Sequence, residues 1–200
     1  MLKMICSAIG AMLVLTSAVV ASDKNIESLK SKAMHNSTSA NKLSVNAEKA
    51  GISARNKEAE FQRHSEAAER SAKNLELEDR KRHAEKAKSA LNNSIKLHER
   101  TAEIAEEAKH AHSNAKVNYQ DVLSAREAKK GRPYNRLEKM KSTSHSMITS
   151  HEQARSRMDN LATDAAKSRD RLKVLEDKIK KADKKGTRIF TSEEGLSETK

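Results

Sequence analysis

The chain has 200 residues, with 40 lysine and arginine side chains against 28 aspartate and glutamate, for a formal net charge of +12. Only 2% of residues are aromatic and 34% are charged, with one proline, one cysteine and no tryptophan. Such a mix of Ala, Glu, Lys, Leu and Arg argues against an ordinary globular enzyme core and points to long helices and coiled coils.

The first element in chain order reads as an export signal. Lys3 is followed by an uncharged stretch from Ile5 to Val20, and Val19, Val20 and Ala21 supply the small residues of a cleavage site, which predicts a secretory signal over 1–21. A membrane anchor competes with that reading. Ser7, Gly10, Thr16 and Ser17 dilute the run, however, and about 20 strongly apolar residues are needed to span a bilayer. No membrane span is therefore expected after cleavage. Cys6 is lost with the signal, so disulfides and thiolate metal sites are excluded from the mature chain. Its charge remains strongly positive, a surface that seeks polyanions. Outside the cell these are sulfated glycans, acidic lipids and released nucleic acid.

Residues 22–185 are predicted to form one all-α domain, a long-helix antiparallel coiled coil or three-helix bundle with helices over about 26–76, 84–130 and 134–185. In the first, steps of three and four from Ile26 pass through Leu29, Ala33, Ala40, Leu43, Ala47, Ala54 and Phe61, interrupted by Asn36, Lys57, His64 and Ser71. The polar run from Glu78 to His83 marks a reversal, because the register slips by two residues across it. The second helix carries three adjacent rows, beginning at Ala87, Ala90 and Leu91, and the last continues through His98, Ala105, His112 and Tyr119. A face that broad predicts contact with both other helices. Lysines, a glycine and a proline at 129–133 end it. The third helix repeats from Leu137 through Met140, Met147, Met158, Leu161, Leu172, Leu175 and Ile179, broken by Ser144, His151 and Ser168. Gly186 ends it, and 186–200 reads as a flexible polar tail. Each helix would be a rod on the order of 70 Å long. Its core would be thin because alanine buries little surface.

No phosphate-binding loop, nucleophile elbow or zinc spacing is present, so no catalytic residue, metal site or cofactor is expected. His110 and His112 are two apart on a helix and cannot face one metal. His64, His98, His112 and His151 lie on or beside the apolar stripes, either as boundary residues or as an acid-sensitive switch. Ala128-Lys129-Lys130-Gly131-Arg132-Pro133 fits the neutral–base–base–neutral–base–neutral pattern of heparin-binding segments, in which clustered cations meet a sulfated chain and release its counterions. Lysines in a last helical turn also complement the helix dipole, and a dibasic processing site is a third reading. A second basic run contains Lys178, Lys180, Lys181, Lys184, Lys185 and Arg188. In an up-down-up bundle it would lie beside Arg80, Lys81 and Arg82, at the pole opposite Lys129, Lys130 and Arg132, so that two cationic ends could bridge separate polyanions. Asn36 and Asn92 head N-glycosylation sequons that fall in helical registers, where acceptors are poorer than in loops.

The export signal, the small basic body and the pattern from Ala128 to Pro133 resemble the spore wall proteins of microsporidian parasites. That resemblance implies heparin binding, a part in wall structure and adherence to host cells, with Lys129, Lys130 and Arg132 as the matched positions. The three-helix layout and positive charge are also similar to membrane-bending crescent domains, but those act in the cytoplasm, against the signal here.

Two functions follow as expectations. The first is a secreted, non-enzymatic coat or surface protein that adheres to sulfated glycosaminoglycans through Lys129, Lys130 and Arg132, supported by Lys180, Lys181, Lys184 and Lys185. The alternative is a purely structural coiled-coil scaffold that self-associates, or joins other coat proteins, through its apolar seams. Export and the scarcity of stacking aromatics argue against nucleic acid.

Overall fold

The computed structural model describes residues 23–74, 76–128 and 134–184, and the side chains of 25–74, 76–128 and 141–181. The expected signal, the segment 129–133 and the expected tail lie outside the described residues. The chain is all-α, with helices α1 (Asp23–Lys73), α2 (Leu77–Glu127) and α3 (Tyr134–Lys184), and no strand among the described residues.

The helices contribute to two compact units, each with a segment of all three. In the first, 23–38 of α1 joins 112–127 of α2 and 134–152 of α3. In the second, 39–73 joins 77–111 and 153–184. Within the second unit the directions follow from the pairs. Ser94 on α2 donates to the carbonyl of Ala54 on α1, and His83 meets His64, so these helices run antiparallel. Lys109 pairs with Asp159 and Lys173 with Glu99, which makes α2 and α3 antiparallel too. Glu48 with Arg157 and Glu58 with Arg171 run in the same sense, so α1 and α3 are parallel. The unit is up, down and up.

The seven-residue repeat becomes a burial pattern. Along α1, Ala33, Ala40, Ala47, Ala54 and Ala68 have no exposure at all, with Ile26 and Phe61 on the same row. Methyl side chains allow the helices to approach toward the short end of the roughly 8–10 Å range. Larger side chains gather in three clusters. Phe61, Leu91, Ile95, Leu172 and Ile179 form one in the second unit, and Met158 sits among Ala47, Ala105, Ala108 and Ala162 in another. In the first unit Ala33 packs with Tyr119 and Val122, against the half-buried Leu29 and Ile148.

The connection between α1 and α2 is shorter than the sequence suggests. Residues 78–83, expected as a polar reversal, lie in the first two turns of α2, which starts at Leu77, and Asn74 and Glu76 belong to the connection. Glu76 donates its backbone N–H to the carbonyl of Ser71, a six-to-one bond that closes the end of α1, and Asn74 donates to Arg70. The carbonyl of Glu76 then accepts from Arg80 and starts α2. A polar stretch can be helical here because Glu78 and Asp79 complement the positive end of the helix, and Asp79 pairs with Arg82 one turn on.

A further row of α1, adjacent to the alanines, is also covered. Ser37 and Gly51 are buried and Ser44, Glu58 and Ser65 are half-buried. Gly51 approaches Thr101 and Leu161, where an added Cβ would stand 3.5 Å from a methyl of each. Hydropathy carries no trace of this row because its members are small or polar. Among the described residues the stripe positions of all three helices are buried or half-buried inside the units, except Met147 on α3, which is 37% exposed.

Candidate functional site

Lys129, Lys130 and Arg132, the primary glycan contacts expected from sequence, lie outside the described residues, as does Lys185. Lys180 and Lys181 are exposed near the end of α3, and Lys184 is its last residue. Lys180 is engaged by Glu176 one turn earlier, at 2.6 Å, and that hydrogen bond holds its ammonium above the usual lysine value. Ile179, beside them, packs in the cluster that contains Ala87 and Leu91, so the end of α3 lies alongside the early turns of α2. Charge there is mixed, because Glu78, Asp79 and Glu85 alternate with Arg80, Lys81, Arg82 and Lys86 on α2. Both sequons are inside helices. Asn92 is exposed, whereas Asn36 is half-buried beside the buried Ser37.

Several polar residues on the sequence stripes, His98, His112, Ser144 and His151, are buried and matched across helices. In the second unit His98 is 4% exposed, and its Nε2 lies 3.3 Å from a carboxylate oxygen of Glu58. Arg171 of α3 binds the other oxygen. The bond from His98, reinforced by the Arg171 charge, holds the Glu58 carboxyl below its ordinary value although burial pushes it the other way. Glu58 thereby ties α1 to both neighbours. Nδ1 of His98 is buried without a partner among the described residues.

In the first unit His112 and His151 are 1% and 3% exposed, with their Nδ1 atoms 2.8 Å apart. Tyr119 stacks on the His151 ring, centroids 5.7 Å apart. Nε2 of His151 is buried and unpaired among the described residues, and burial holds the pKa of this imidazole below 6.5. Toward the chain reversal, Arg126 donates to the Ser144 hydroxyl at 3.2 Å in the same interior. Ser144 was visible in the stripe, but the burial of Arg126 was not. It lies seven residues after Tyr119 on the third row of α2, and that spacing is the signal that would have found it.

The second histidine pair, His64 with His83, was also missed, since His83 falls in the stretch expected as a connection. Its Nδ1 stands 3.2 Å from that of His64, and both rings are half-buried. Burial, the neighbouring His83 and the Lys86 charge lower the His64 pKa. Among the described residues no group of three or more metal-ligating side chains is gathered, and no helix is long and apolar enough to cross a membrane.

Val45 and Ile52 on the second unit's part of α1 are 48% and 52% exposed and one heptad apart, and Val174 on α3 is 58% exposed. No protein-family model, curated protein or solved structure matches this chain.

Proposed function

We propose that the protein is a secreted, non-enzymatic coat or surface protein that adheres to sulfated, heparin-like glycosaminoglycans and contributes to wall structure. The observation that carries this reading is the display of Lys178, Lys180 and Lys181 on the last turns of α3, in a chain of net charge +12 whose apolar rows are turned inward. Lys129, Lys130 and Arg132 are the primary contacts in this proposal, with Lys180, Lys181, Lys184 and Lys185 in support. The ammonium and guanidinium groups pair with sulfates and release the counterions condensed on the glycan. Resemblance to microsporidian spore wall proteins favours the same role. If the chain is glycosylated, Asn92 is the better acceptor because it faces solvent.

Heparin chromatography tests the reading. Substituting Lys129, Lys130 and Arg132 with alanine lowers the salt needed for elution and flattens the dependence of log affinity on log salt by roughly one for each contact removed. Retention unchanged by these substitutions would sink it.

Val45 and Ile52 favour a second reading, a scaffold that assembles with itself. Sedimentation with and without heparin separates the two. A monomer that binds heparin supports adhesion, and an oligomer indifferent to heparin and dissolved by Ile52→Lys supports the scaffold.

A further inference from the structure

The two histidine pairs differ in geometry, and the difference bears on what each can hold. His112 and His151 are nearly sealed, stacked on by Tyr119, and 2.8 Å apart. An ion with bonds of about 2.05 Å would be squeezed to an angle of about 86° between these nitrogens, with no access for water. His64 and His83 are 3.2 Å apart, with ring planes inclined by 34°. Bonds of about 2.0–2.1 Å across that gap subtend about 103°, close to tetrahedral. Both rings are half-exposed, so water can reach the remaining coordination positions.

Neutral imidazoles so placed share one proton, from the Nδ1–H of one ring to the Nδ1 lone pair of the other. If the donor ring shifts to the tautomer protonated at Nε2, both lone pairs become available to a cation and neither ring changes charge. Carboxylates stand one turn away on each helix: Glu60 precedes His64 by four residues and Asp79 precedes His83 by four, spacings that share a helix face. Each is engaged by a partner on its own helix, Lys57 for Glu60 and Arg82 for Asp79. Glu60 is near enough for its charge to favour a cation at His64, whereas Lys86 and Arg63 oppose one.

We propose that His64 and His83 form a two-imidazole site for a borderline divalent transition-metal ion such as Zn²⁺ or Cu²⁺, with water completing the coordination. The ligands come from α1 and α2, so a bound ion would tie these two helices together near the connection between them.

The full chain titrated with ZnCl₂ at pH 7.5 by calorimetry, and heated with and without the ion, provides the test. One ion per chain is expected, with a rise in melting temperature. Affinity should fall at least tenfold, and the rise be lost, in His64→Gln and in His83→Gln, and both should persist in His110→Gln and His145→Gln, whose rings are exposed elsewhere. Electron paramagnetic resonance of the Cu²⁺ form should show two imidazole nitrogens. The proposal is overturned if the wild type does not bind, if binding survives both glutamine variants, or if the Cu²⁺ spectrum shows fewer than two.

Discussion

His112 on α2 and His151 on α3 face one another with Nδ1 atoms 2.8 Å apart, inside a unit whose surrounding core is alanine, valine and tyrosine. One ring must donate and the other accept, an arrangement that survives protonation of one ring but not of both. A proton added to His151 would leave Nε2–H buried without an acceptor.

Acid should therefore loosen this unit. Burial holds His151 below 6.5 in the folded chain, while the unfolded imidazole titrates at about 6.5, so the unfolded state takes up the proton first. The stabilisation is fully present above about pH 6.5 and is lost as pH falls from there toward the folded value. Tyr119 stacks on His151, and Lys116 and Glu152, further along α2 and α3, pair with each other. Urea midpoints measured by circular dichroism should drop between pH 7.5 and 5.5. His112→Leu with His151→Leu should remove most of that drop, and a flat wild-type profile would contradict the account.

Glu58 should be costly to remove. Its replacement by alanine leaves His98 buried without its acceptor and Arg171 without its partner, at about 1.5–3 kcal/mol for a lost bond to a charged group. Arg171→Ala should cost about 1 kcal/mol or less, because that side chain is 57% exposed. Equal losses in denaturant titrations of the two variants would show that Glu58 does not depend on burial.

Gly51→Ala should stabilise the chain. The site is in the middle of α1, and the new methyl meets Leu161 and Thr101 at ordinary contact distance. Alanine in place of glycine in a helix is worth about 0.5–1 kcal/mol, which should appear as a higher melting temperature. A lower one would mean that the helices stand closer at this point than 3.5 Å contacts imply.

Met158 and Val174 lie on the same helix with opposite burial, 1% and 58% exposed. Met158→Ala should cost about 2–5 kcal/mol, since its neighbours are mostly alanines too short to fill the cavity. Val174→Ala should stay within about 0.5 kcal/mol of the wild type. Denaturation midpoints for the pair check both.

The helices themselves were legible, because apolar residues return every seven positions over long stretches and one glycine–proline segment separates α2 from α3. The broad face of α2 was legible too, down to His98, His112 and Tyr119. The start of α2 was not, since Glu78 to His83 has no apolar member and its helicity rests on charges at the helix end and on a turn bond from Glu76. Nor was the covered row of Ser37, Gly51 and Glu58, whose burial is set by neighbouring helices and not by its own hydropathy. His83 and Arg126 acquire meaning only when another helix brings His64 and Ser144 to them.

The zero-exposure alanines of the second unit carry a further consequence. Ala40, Ala47, Ala54 and Ala68 are interchangeable under a slide of seven residues, so this row says that α1 packs but not at which height. The address is written in the exceptions. Phe61 fits only where Leu91 and Leu172 leave room for a ring, and Glu58 only where His98 and Arg171 can both reach it. A slide by one heptad would set Ala54 or Ala68 in the place of Phe61, and Gly51 or Ser65 in the place of Glu58, opening a void and stranding a buried imidazole at once. Two side chains therefore hold an alanine zipper at a single notch, and replacing both with alanine should yield a helix that still binds its neighbours but no longer knows its position along them.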